Sequence, residues 1–352
     1  MKPRLLVATS VHEPDDPRIR ERYIRTLEST FDVTYVARAP GPTDQNGLSL
    51  LPLEGSRRRR RGAVRAALLK SDYDVAAVHD PELLPAAIAA SRRGRRVVFD
   101  LHEDVPAQLR TRRSLPRVLR RPASVVAAAY LRHAEKKLPI TLAEAGYASL
   151  LRMPHPVFPN YPRYDTFPAP SGKPDGSIVY VGDVTEVRGA LTLIEAAALV
   201  SSRRPVRFVG RCSDELRGRM EELARARVVD VELTGWMAHR EAMEAIASSV
   251  VGVSPLHDVP NYRNSLPTKT LEYLAMGVPA VATDLPGTRG VIGGLAGVEL
   301  VVPGDARSLA VGIENALDPL VQQSASSSAA SVRETYVWPD EEVRDFYRSL
   351  LS

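Results

Sequence analysis

The sequence predicts an α/β fold with two Rossmann-like domains that face a deep interdomain cleft. Apolar strands alternate with helices in two successive series, which implies parallel strands joined by crossover helices. A proline-rich stretch, residues 153–176, separates the series and has the composition of a linker or a domain crossing. Because 352 residues suffice for two hydrophobic cores, we place one domain at 1–157 and the other at 158–337.

The elements of the first series follow from apolar runs and helical spacing. Short apolar runs bounded by turn residues predict buried strands, and longer amphipathic segments predict helices. The predicted strands are 5–10, 32–38, 75–80, the start of 96–104, and 139–143. The predicted helices are 18–30, 62–71, 82–93 and the region 116–138, with a polar stretch before the second of them.

The second series repeats the same plan. Its predicted strands are 177–183, 206–210, 228–236, 250–256 and 298–305, and its predicted helices are 190–202, 214–226, 240–249 and 306–317. Within it, residues 260–286 predict a loop, a helix, a Gly-Val-Pro turn and a short buried strand. The serine-rich segment 323–331 fits a loop or a frayed helix, and the last helix begins near Asp340.

Positive charge is concentrated in the first domain. Residues 1–157 carry 28 Lys and Arg against 17 Asp and Glu, net +11, whereas the remaining residues carry 19 against 25, net −6. The arginine run 57–61 is the densest part. A basic half attracts a phosphorylated or otherwise anionic acceptor, or an anionic membrane surface, and a solvated arginine-rich face is the alternative. No aromatic residues interleave with the arginines, so nucleic acid is not an expected partner.

The sequence contains no signal for export or for a membrane span. No apolar run approaches the roughly 20 residues that a spanning helix needs. The start, MKPRLLVATSVHEPDD, becomes acidic and proline-containing too early for a signal peptide. The single Cys212 excludes an intrachain disulfide and a multi-cysteine metal site. We expect a cytoplasmic protein, with peripheral contact at the inner face of the membrane as an open alternative.

The segment PNYRNSLPTKTLEYLAMGVPAVATDLP predicts an anion site. Ser265 or Thr268 can cap its helix, Lys269 lies in the first turn, and Glu272 lies one turn further in. Free N–H groups and a lysine at a helix start bind anions, and a carboxylate accepts hydrogen bonds from sugar hydroxyls. The combination suggests a nucleotide-sugar site.

Polar side chains follow several strands, at the ends where open α/β sheets bind ligands. Those of the first series are His12, Asp16, Arg18, His79, Asp80, His102 and Glu103, and those of the second are Asp183, Arg188 and Arg211. No G-x-G-x-x-G follows the first strand and no P-loop is present, which argues against a nicotinamide dehydrogenase and a P-loop nucleotidase. No D-x-D arrangement for a metal-held diphosphate is evident, so Arg, Lys and helix dipoles would have to neutralise a diphosphate.

Taken in order, the motifs resemble a known family. The segments HDPELLPAA, VVFDLHED, FPNYP, YVGDVTEVRGALTLIEAA, SPLHDVPNYRNSLPTKTLEYLAMGVPAVATDLPG and WPDEEVRDFYRSLL together resemble the retaining GT-B glycosyltransferases of family four, also called glycosyl transferases group 1. The resemblance spans nearly the whole chain. It implies a metal-independent transferase with the donor on the second domain, the acceptor on the first, and a last helix, 338–352, that packs back on the first domain.

The resemblance also implies roles for donor-site residues. Arg188 matches the basic residue of the V-G-x-x-x-x-x-[KR]-G turn that contacts the donor diphosphate. Lys269 matches the basic residue of S-L-P-x-K, so Ser265, Leu266, Pro267 and Thr268 would line the same place. Glu272 matches the second glutamate of E-x7-E, which binds the donor ribose; a buried structural role is the alternative.

Two positions depart from the family pattern. Asn264 stands where the first glutamate would hold the transferred sugar, which puts that contact in doubt. Asp183 stands where many members have an arginine. The cation pair must then be Arg188 with Lys269, or include a residue of the first domain. Trp236 stands where the donor base is usually packed, and a plain core aromatic is the alternative.

The resemblance places the acceptor side on the first domain. His102 matches a histidine near the reacting sugar, where a neutral imidazole can donate and accept hydrogen bonds. Glu103 follows it, and His79 with Asp80 hold the analogous place one strand earlier. His12, Asp16 and Arg18 replace the family's glycine-rich first loop, where they either shape the acceptor site or fix the loop.

The function implied is retaining transfer of a sugar from a nucleotide-diphosphate sugar, of the UDP or GDP type, to a hydroxyl acceptor. The enzyme would be of the hexosyltransferase type, with no metal and no cofactor beyond the co-substrate. The basic first domain favours an anionic or lipid-linked acceptor. A catalytically degenerate binding or scaffold protein and a nucleotide-sugar epimerase are the alternatives.

Overall fold

A computed structural model describes residues 1–39, 48–112, 114–168, 174–266 and 268–352. The chain divides into two compact units. The first comprises Met1–Asn160 and Trp338–Ser352, and the second comprises Tyr161–Val337. The first unit thus runs to Asn160 where the sequence placed the boundary at 157, and the chain returns to it at the predicted position 338.

The first unit is built on a six-stranded parallel sheet. Its strands are β1 (Arg4–Ala8), β2 (Asp32–Arg38), β3 (Ser49–Leu53), β4 (Val75–Val78), β5 (Val97–Leu101) and β6 (Ile140–Leu142). They are arranged in the order β3-β2-β1-β4-β5-β6, so the chain reverses its direction across the sheet between β1 and β4. That reversal is the point where Rossmann-like sheets bind ligands at their carboxyl ends.

Helices cover both faces of this sheet. They are α1 (a wide π-type helix at Pro17–Ile24 that ends with the regular turn Arg25–Leu27), α2 (Arg57–Lys70), α3 (Leu84–Ser91), α4 (Val105–Thr111), α5 (Arg117–Ala134) and α13 (Asp340–Ser349), with 3₁₀ turns at Pro81–Leu83 and Ala145–Leu150. The α13 segment belongs to this unit because Trp338, Val343 and Tyr347 are buried in its core beside Tyr23. The Trp338 indole N–H donates to the Thr26 hydroxyl at 2.9 Å.

The second unit repeats the architecture. Its strands are β7 (Ile178–Val181), β8 (Val206–Val209), β9 (Val231–Gly235), β10 (Val251–Ser254), β11 (Ala280–Thr283) and β12 (Val298–Val301), in the parallel order β12-β11-β10-β7-β8-β9. Its helices are α6 (Ala190–Leu199), α7 (Asp214–Arg227), α8 (His239–Ala247), α9 (Thr268–Ala275), α10 (Pro286–Ile292), α11 (Ala306–Ala316) and α12 (Pro319–Thr335), with 3₁₀ turns at Tyr164–Thr166 and Glu186–Arg188. Each sheet face carries its own hydrophobic cluster.

Three sequence predictions need correction. The stretch before α2 contains an edge strand, β3, whose residues are mostly half-buried or exposed and include Pro52, so it lacks the apolar run of a central strand. Helix α2 begins at Arg57 and not near residue 62, because Ser56 caps it and arginine is a good helix former. The serine-rich segment 323–331 lies inside the regular helix α12.

Two further differences concern helices. The region 116–138 is preceded by a separate short helix, α4, and its own helix α5 ends at Ala134. Helix α10 was not predicted, because a seven-residue segment with two glycines carries little helical signal. Among the described residues, no helix combines the length and the apolar character that a membrane-crossing helix requires.

Candidate functional site

The turn that follows β7 brings backbone close to two cationic side chains. Gly182 has φ +120°, and a Cβ built on it would lie 3.2 Å from Lys269 Nζ and 3.6 Å from Arg188 Nη1. Gly189, at φ +82°, could not carry a side chain, since its Cβ would lie 2.1 Å from the carbonyl oxygen of Pro255. The glycines therefore allow the backbone of this turn to approach Lys269, Arg188 and Pro255 more closely than a residue with a side chain could.

Lys269 is buried without an ion-pair partner. Its side chain lies in the first turn of α9, and the residue is only 9% exposed. Among the described residues, no hydrogen-bond acceptor reaches Nζ, which lies 3.9 Å from the centroid of the Tyr180 ring. Burial, and then the charge of Arg188, lower the pKa of Lys269 well below its usual value. An unpaired buried ammonium beside a guanidinium is a preformed site for an anion.

Arg188 is held by phenol groups. Burial by itself would lower the pKa of Arg188, but the Tyr180 and Tyr262 phenols outweigh it and raise the pKa. The Tyr180 hydroxyl in turn donates to the carbonyl oxygen of Asp183 at 2.8 Å, and burial raises the pKa of Tyr180 to about 12. The two phenols thus orient the guanidinium. Sequence reasoning missed both of them, although Tyr180 is the one polar-tipped residue of an otherwise aliphatic strand.

The remaining donor-side candidates precede α9 or lie in it. Leu266 is buried, Ser265, Thr268 and Glu272 are half-buried, and Asn264 is exposed. The Glu272 carboxylate acts on Lys269 to raise its pKa, although less than burial lowers it. Pro267 lies outside the described residues.

Three more predicted residues follow the neighbouring strands. Asp183 comes directly after Gly182 in the β7 turn. Arg211 follows β8 and is exposed, and its carbonyl oxygen accepts from the Val184 N–H at 2.8 Å. Trp236 follows β9 and is 62% exposed, so it is not a core aromatic. The carboxyl ends of β7, β8 and β9 therefore present one anionic, one cationic and one aromatic side chain.

In the first unit, a buried carboxylate organises the polar residues. Asp100 lies in β5 and is fully buried. It accepts from Arg18 Nε and Nη2 at 2.8 Å each, from the Tyr23 hydroxyl at 2.8 Å and from the Thr141 hydroxyl at 2.9 Å. Burial opposes ionisation, but Arg18 outweighs it and holds the pKa of Asp100 well below its usual value. An aspartate inside the apolar run VVFDL was the available sequence signal for it.

Arg18 is therefore a structural residue and not an acceptor-side contact. Only 6% of it is exposed, and its third nitrogen, Nη1, donates to Asn160 Oδ1 at 2.7 Å and to the Phe158 carbonyl oxygen at 3.2 Å. Its guanidinium also lies 5.7 Å from the Trp338 ring centroid. Of the two roles that the sequence left open, shaping the acceptor site or fixing the loop, these bonds favour the second, because they use every side-chain nitrogen of Arg18.

His79 and Asp80 also lie deeper than predicted. His79 is fully buried, with Nδ1 3.2 Å from Asp100 Oδ2. Asp80 is 2% exposed and accepts from the hydroxyls of Thr9 and Ser10. Asp80 thus fixes the loop after β1 to the end of β4, and the prediction that it contacts an acceptor is corrected.

One group of side chains has the spacing of a metal site. His79, Asp100 and His102 each offer a ligand atom, and these atoms lie within 4.8 Å of one another. Both oxygens of Asp100, however, are bound by the Arg18 guanidinium. A cation there would meet a fixed positive charge, so the group suits the guanidinium that it holds and not a metal ion.

His12, Asp16 and His102 lie nearer the surface. His102 Nε2 is 3.2 Å from His12 Nε2, and His12 Nδ1 is 2.8 Å from Asp16 Oδ2. Asp16 also caps α1 by accepting from the N–H groups of Arg18 and Ile19. Glu103 is half-buried next to His102. Of the predicted acceptor-side residues, these four are the ones that a ligand can reach.

Comparison with known proteins agrees with this architecture. Residues 175–319, most of the second unit, match the family model for glycosyl transferases group 1. The chain resembles sucrose-phosphate synthase from Thermosynechococcus elongatus, with a TM-score of 0.80, 15% identity and 99% of each chain covered. It also resembles HepE from Anabaena in complex with UDP and glucose, with a TM-score of 0.70, 14% identity and 99% of each chain covered.

A third similar structure is WaaG, a glycosyltransferase involved in lipopolysaccharide biosynthesis, with a TM-score of 0.73, 12% identity, and 96% of this chain and 98% of that chain covered. No curated protein matches the chain by sequence. The fold is that of the GT-B glycosyltransferase structures. The match of residues 175–319 to the model for glycosyl transferases group 1 confirms the resemblance stated from the sequence for that part of the chain.

Proposed function

We propose that the protein transfers a sugar from a nucleotide-diphosphate sugar to a hydroxyl acceptor with retention of configuration. The observation that carries this proposal is the buried, unpartnered Lys269 Nζ beside Arg188, at a helix start. A protein tolerates such a charge where a ligand supplies the missing anion. The donor diphosphate is the ligand of that kind in a glycosyltransferase, and UDP is our first choice because HepE binds UDP and UDP-glucose.

The proposed step breaks the bond between the sugar's anomeric carbon and the β-phosphate oxygen. Both electrons of that bond remain on the phosphate, where Lys269, Arg188 and the N-terminus of α9 stabilise the charge. The acceptor oxygen attacks the same face of an oxocarbenium-like centre and forms the new glycosidic bond. Its proton passes to the departing phosphate oxygen, so the step needs no separate base. Glu272 is proposed to hold the donor ribose, and His102 a hydroxyl near the reacting sugar.

Two side-chain cations and a helix terminus can neutralise a diphosphate, so we propose that the reaction needs neither a metal nor another cofactor. Purified protein treated with EDTA is expected to turn over one of a panel of UDP-, GDP-, dTDP- and ADP-sugars. Proton NMR of the product is expected to show the anomeric configuration of the donor. Loss of turnover with EDTA that Mg²⁺ restores would contradict metal independence, and an inverted product would contradict retention. Nucleotide binding without transfer or donor hydrolysis would favour a binding protein.

We further propose that the first unit meets an anionic membrane surface through α5. Residues 105–134 contain seven arginines and no acidic residue. Along α5, four apolar side chains are unusually exposed: Val118 (80%), Leu119 (52%), Val125 (65%) and Val126 (67%). Val118 and Val125 are seven residues apart and so share a face, and Arg117 and Arg121 flank it. Apolar side chains bordered by cations suit a bilayer surface with anionic headgroups.

Vesicle sedimentation tests this surface. The double variant Val118→Glu/Val125→Glu is expected to bind vesicles of phosphatidylglycerol and phosphatidylcholine at least tenfold more weakly than the wild type, since each change removes an apolar contact and adds a repelled charge. The matched control is Val302→Glu/Val311→Glu, which adds the same charge at exposed valines of the second unit. Equal binding by the two variants, or no preference of the wild type for anionic vesicles, would contradict the proposal.

A further inference from the structure

Three side chains near the end of β1 and β5 form a continuous chain of ring and carboxylate contacts. His12 stands between Asp16, 2.8 Å from its Nδ1, and His102, 3.2 Å from its Nε2. The two imidazole rings are tilted by 59° with centroids 5.1 Å apart, so they meet through their edges and not by stacking. The family resemblance does not account for His12 or Asp16.

The position of each ring proton follows from whether the neighbouring atom can donate a hydrogen bond or only accept one. His102 Nδ1 faces the backbone carbonyl oxygen of Asp100 at 3.2 Å and its Oδ2 at 3.6 Å, and neither atom can donate when Asp100 is ionised. Nδ1 of His102 therefore carries the ring proton, and Nε2 has the lone pair. The neighbour of that lone pair is His12 Nε2, so His12 must donate.

His12 is consequently protonated on both nitrogens. Its Nε2 donates to His102, and its Nδ1 donates to Asp16, whose carboxylate is held in place by capping α1. The other charges facing His12 are Asp80, with Oδ1 at 3.6 Å from Nε2, and Glu103, and both favour the imidazolium. On His102, burial, Arg18 and His79 disfavour a second proton, and together they outweigh Asp100 and Glu103, which favour it.

The pKa directions agree with this assignment. Burial would lower the pKa of His12, but the hydrogen bond to Asp16 and the charges of Asp16, Asp80 and Glu103 together outweigh it, and the pKa is raised. Burial would raise the pKa of Asp16, but His12 outweighs it and the pKa is lowered. Burial lowers the pKa of His102. The positive charge thus rests on His12, and His102 supplies the lone pair that accepts its Nε2–H.

We propose that His12 and Asp16 are positioning residues that fix the protonation state of His102. While His12 is charged, it holds His102 neutral, with the lone pair on Nε2 directed at the His12 N–H. A substrate hydroxyl that inserts between the two rings can accept a hydrogen bond from the His12 N–H and donate its own O–H to the lone pair of His102. The proposed role of His102 in transfer rests on the proposed function, whereas the protonation states do not.

Histidine NMR on the full-length protein, labelled with ¹⁵N-histidine, tests the protonation states without any activity. At neutral pH we expect His102 as the Nδ1–H tautomer and His12 as an imidazolium. Asp16→Asn keeps the helix cap, since asparagine is an equally good N-cap, and is expected to shift the His12 titration to lower pH. An Nε2–H tautomer of His102, or a His12 titration that Asp16→Asn leaves unchanged, would overturn the proposal.

Activity provides a second readout. His12→Gln preserves a side-chain N–H donor but cannot titrate, whereas His12→Phe removes the donor as well. In the wild type, kcat/KM is expected to fall as pH rises through the pKa of His12; His12→Gln should lose this basic limb and keep much of its activity, and Asp16→Asn should move the limb to lower pH. A wild-type basic limb that His12→Gln leaves in place would overturn the role in transfer. Absence of transfer in every form would instead count against the proposed function.

Discussion

Replacing Lys269 by methionine is expected to lower turnover by a factor of about 10² to 10³ and, at the same time, to stabilise the second unit. The loss follows from removing one well-placed charge from the departing phosphate, a contribution of about 3–4 kcal/mol. The gain follows because Nζ is buried and has no partner among the described residues. Replacing buried charged groups by apolar side chains of similar volume can raise the free energy of unfolding by about 1–4 kcal/mol.

The pH dependence of that gain has a definite sign. The pKa of Lys269 in the folded protein lies well below 10.5, its value in an unfolded chain. The charged lysine therefore costs the folded state most at low pH, and the cost declines as pH rises from the folded pKa towards 10.5. Calorimetry should show that Lys269→Met is more stable than the wild type and that this advantage becomes smaller as pH rises over the same range.

The matched control is Lys70→Met, at the exposed end of α2. It removes the same charge from solvent and is expected to change stability by less than about 0.5 kcal/mol and turnover hardly at all. A Lys269→Met variant that is less stable than the wild type, or that retains wild-type turnover, would contradict the assignment of Lys269 as an anion ligand.

Replacing Asp100 by leucine is expected to destabilise the first unit by about 3–5 kcal/mol, because it leaves Arg18 buried without its counterion. Urea unfolding followed by the fluorescence of the buried Trp338 reports on this unit. The pKa of Asp100 is depressed, so the contribution is present above the unfolded pKa and is lost as pH falls through the folded one. The variant's stability should accordingly depend less on acid pH than the wild type's.

Two comparisons sharpen this test. Asp72→Leu removes a carboxylate that is paired with Arg4 at the surface and should cost no more than about 1 kcal/mol. The double variant Arg18→Met/Asp100→Leu should recover part of the loss, because neither buried charge remains. A single Asp100→Leu variant as stable as the wild type would show that the pair does not hold the unit together.

The sequence predicted most of the fold because buried parallel strands leave apolar runs that need no tertiary information. It missed β3, where an edge strand with a proline is only partly buried, and it misplaced the start of α2, where a run of arginines hid the Ser56 cap. Both errors arise where local structure depends on neighbours along the sheet or on a single capping bond.

The candidate site was likewise predicted only in part. Arg188 and Lys269 were identified through local motifs, and the structure brings both side chains next to Gly182. Tyr262 and Asp100 were missed, because they act on Arg188 and Arg18, which are distant in sequence. Tyr180 was missed although it contacts Asp183 in the turn that directly follows its strand. Arg18, His79 and Asp80 were predicted on the acceptor side, after the ends of strands, but are buried. Sequence spacing places a residue at a strand end, but it does not say whether the side chain turns into the core or away from it.

Isothermal titration of the EDTA-treated protein with UDP tests the central claim most directly. At pH 9 we expect micromolar binding accompanied by proton uptake, seen as a dependence of the heat on the buffer, because a bound diphosphate raises the depressed pKa of Lys269. Lys269→Met should bind at least about a hundredfold more weakly, equivalent to about 2.7 kcal/mol, and without proton uptake. If GDP, dTDP or ADP binds in place of UDP with the same dependence on Lys269, the site stands and only the donor class changes. If no diphosphate binds, or if Lys269→Met binds as tightly as the wild type, the cation pair is not a diphosphate site.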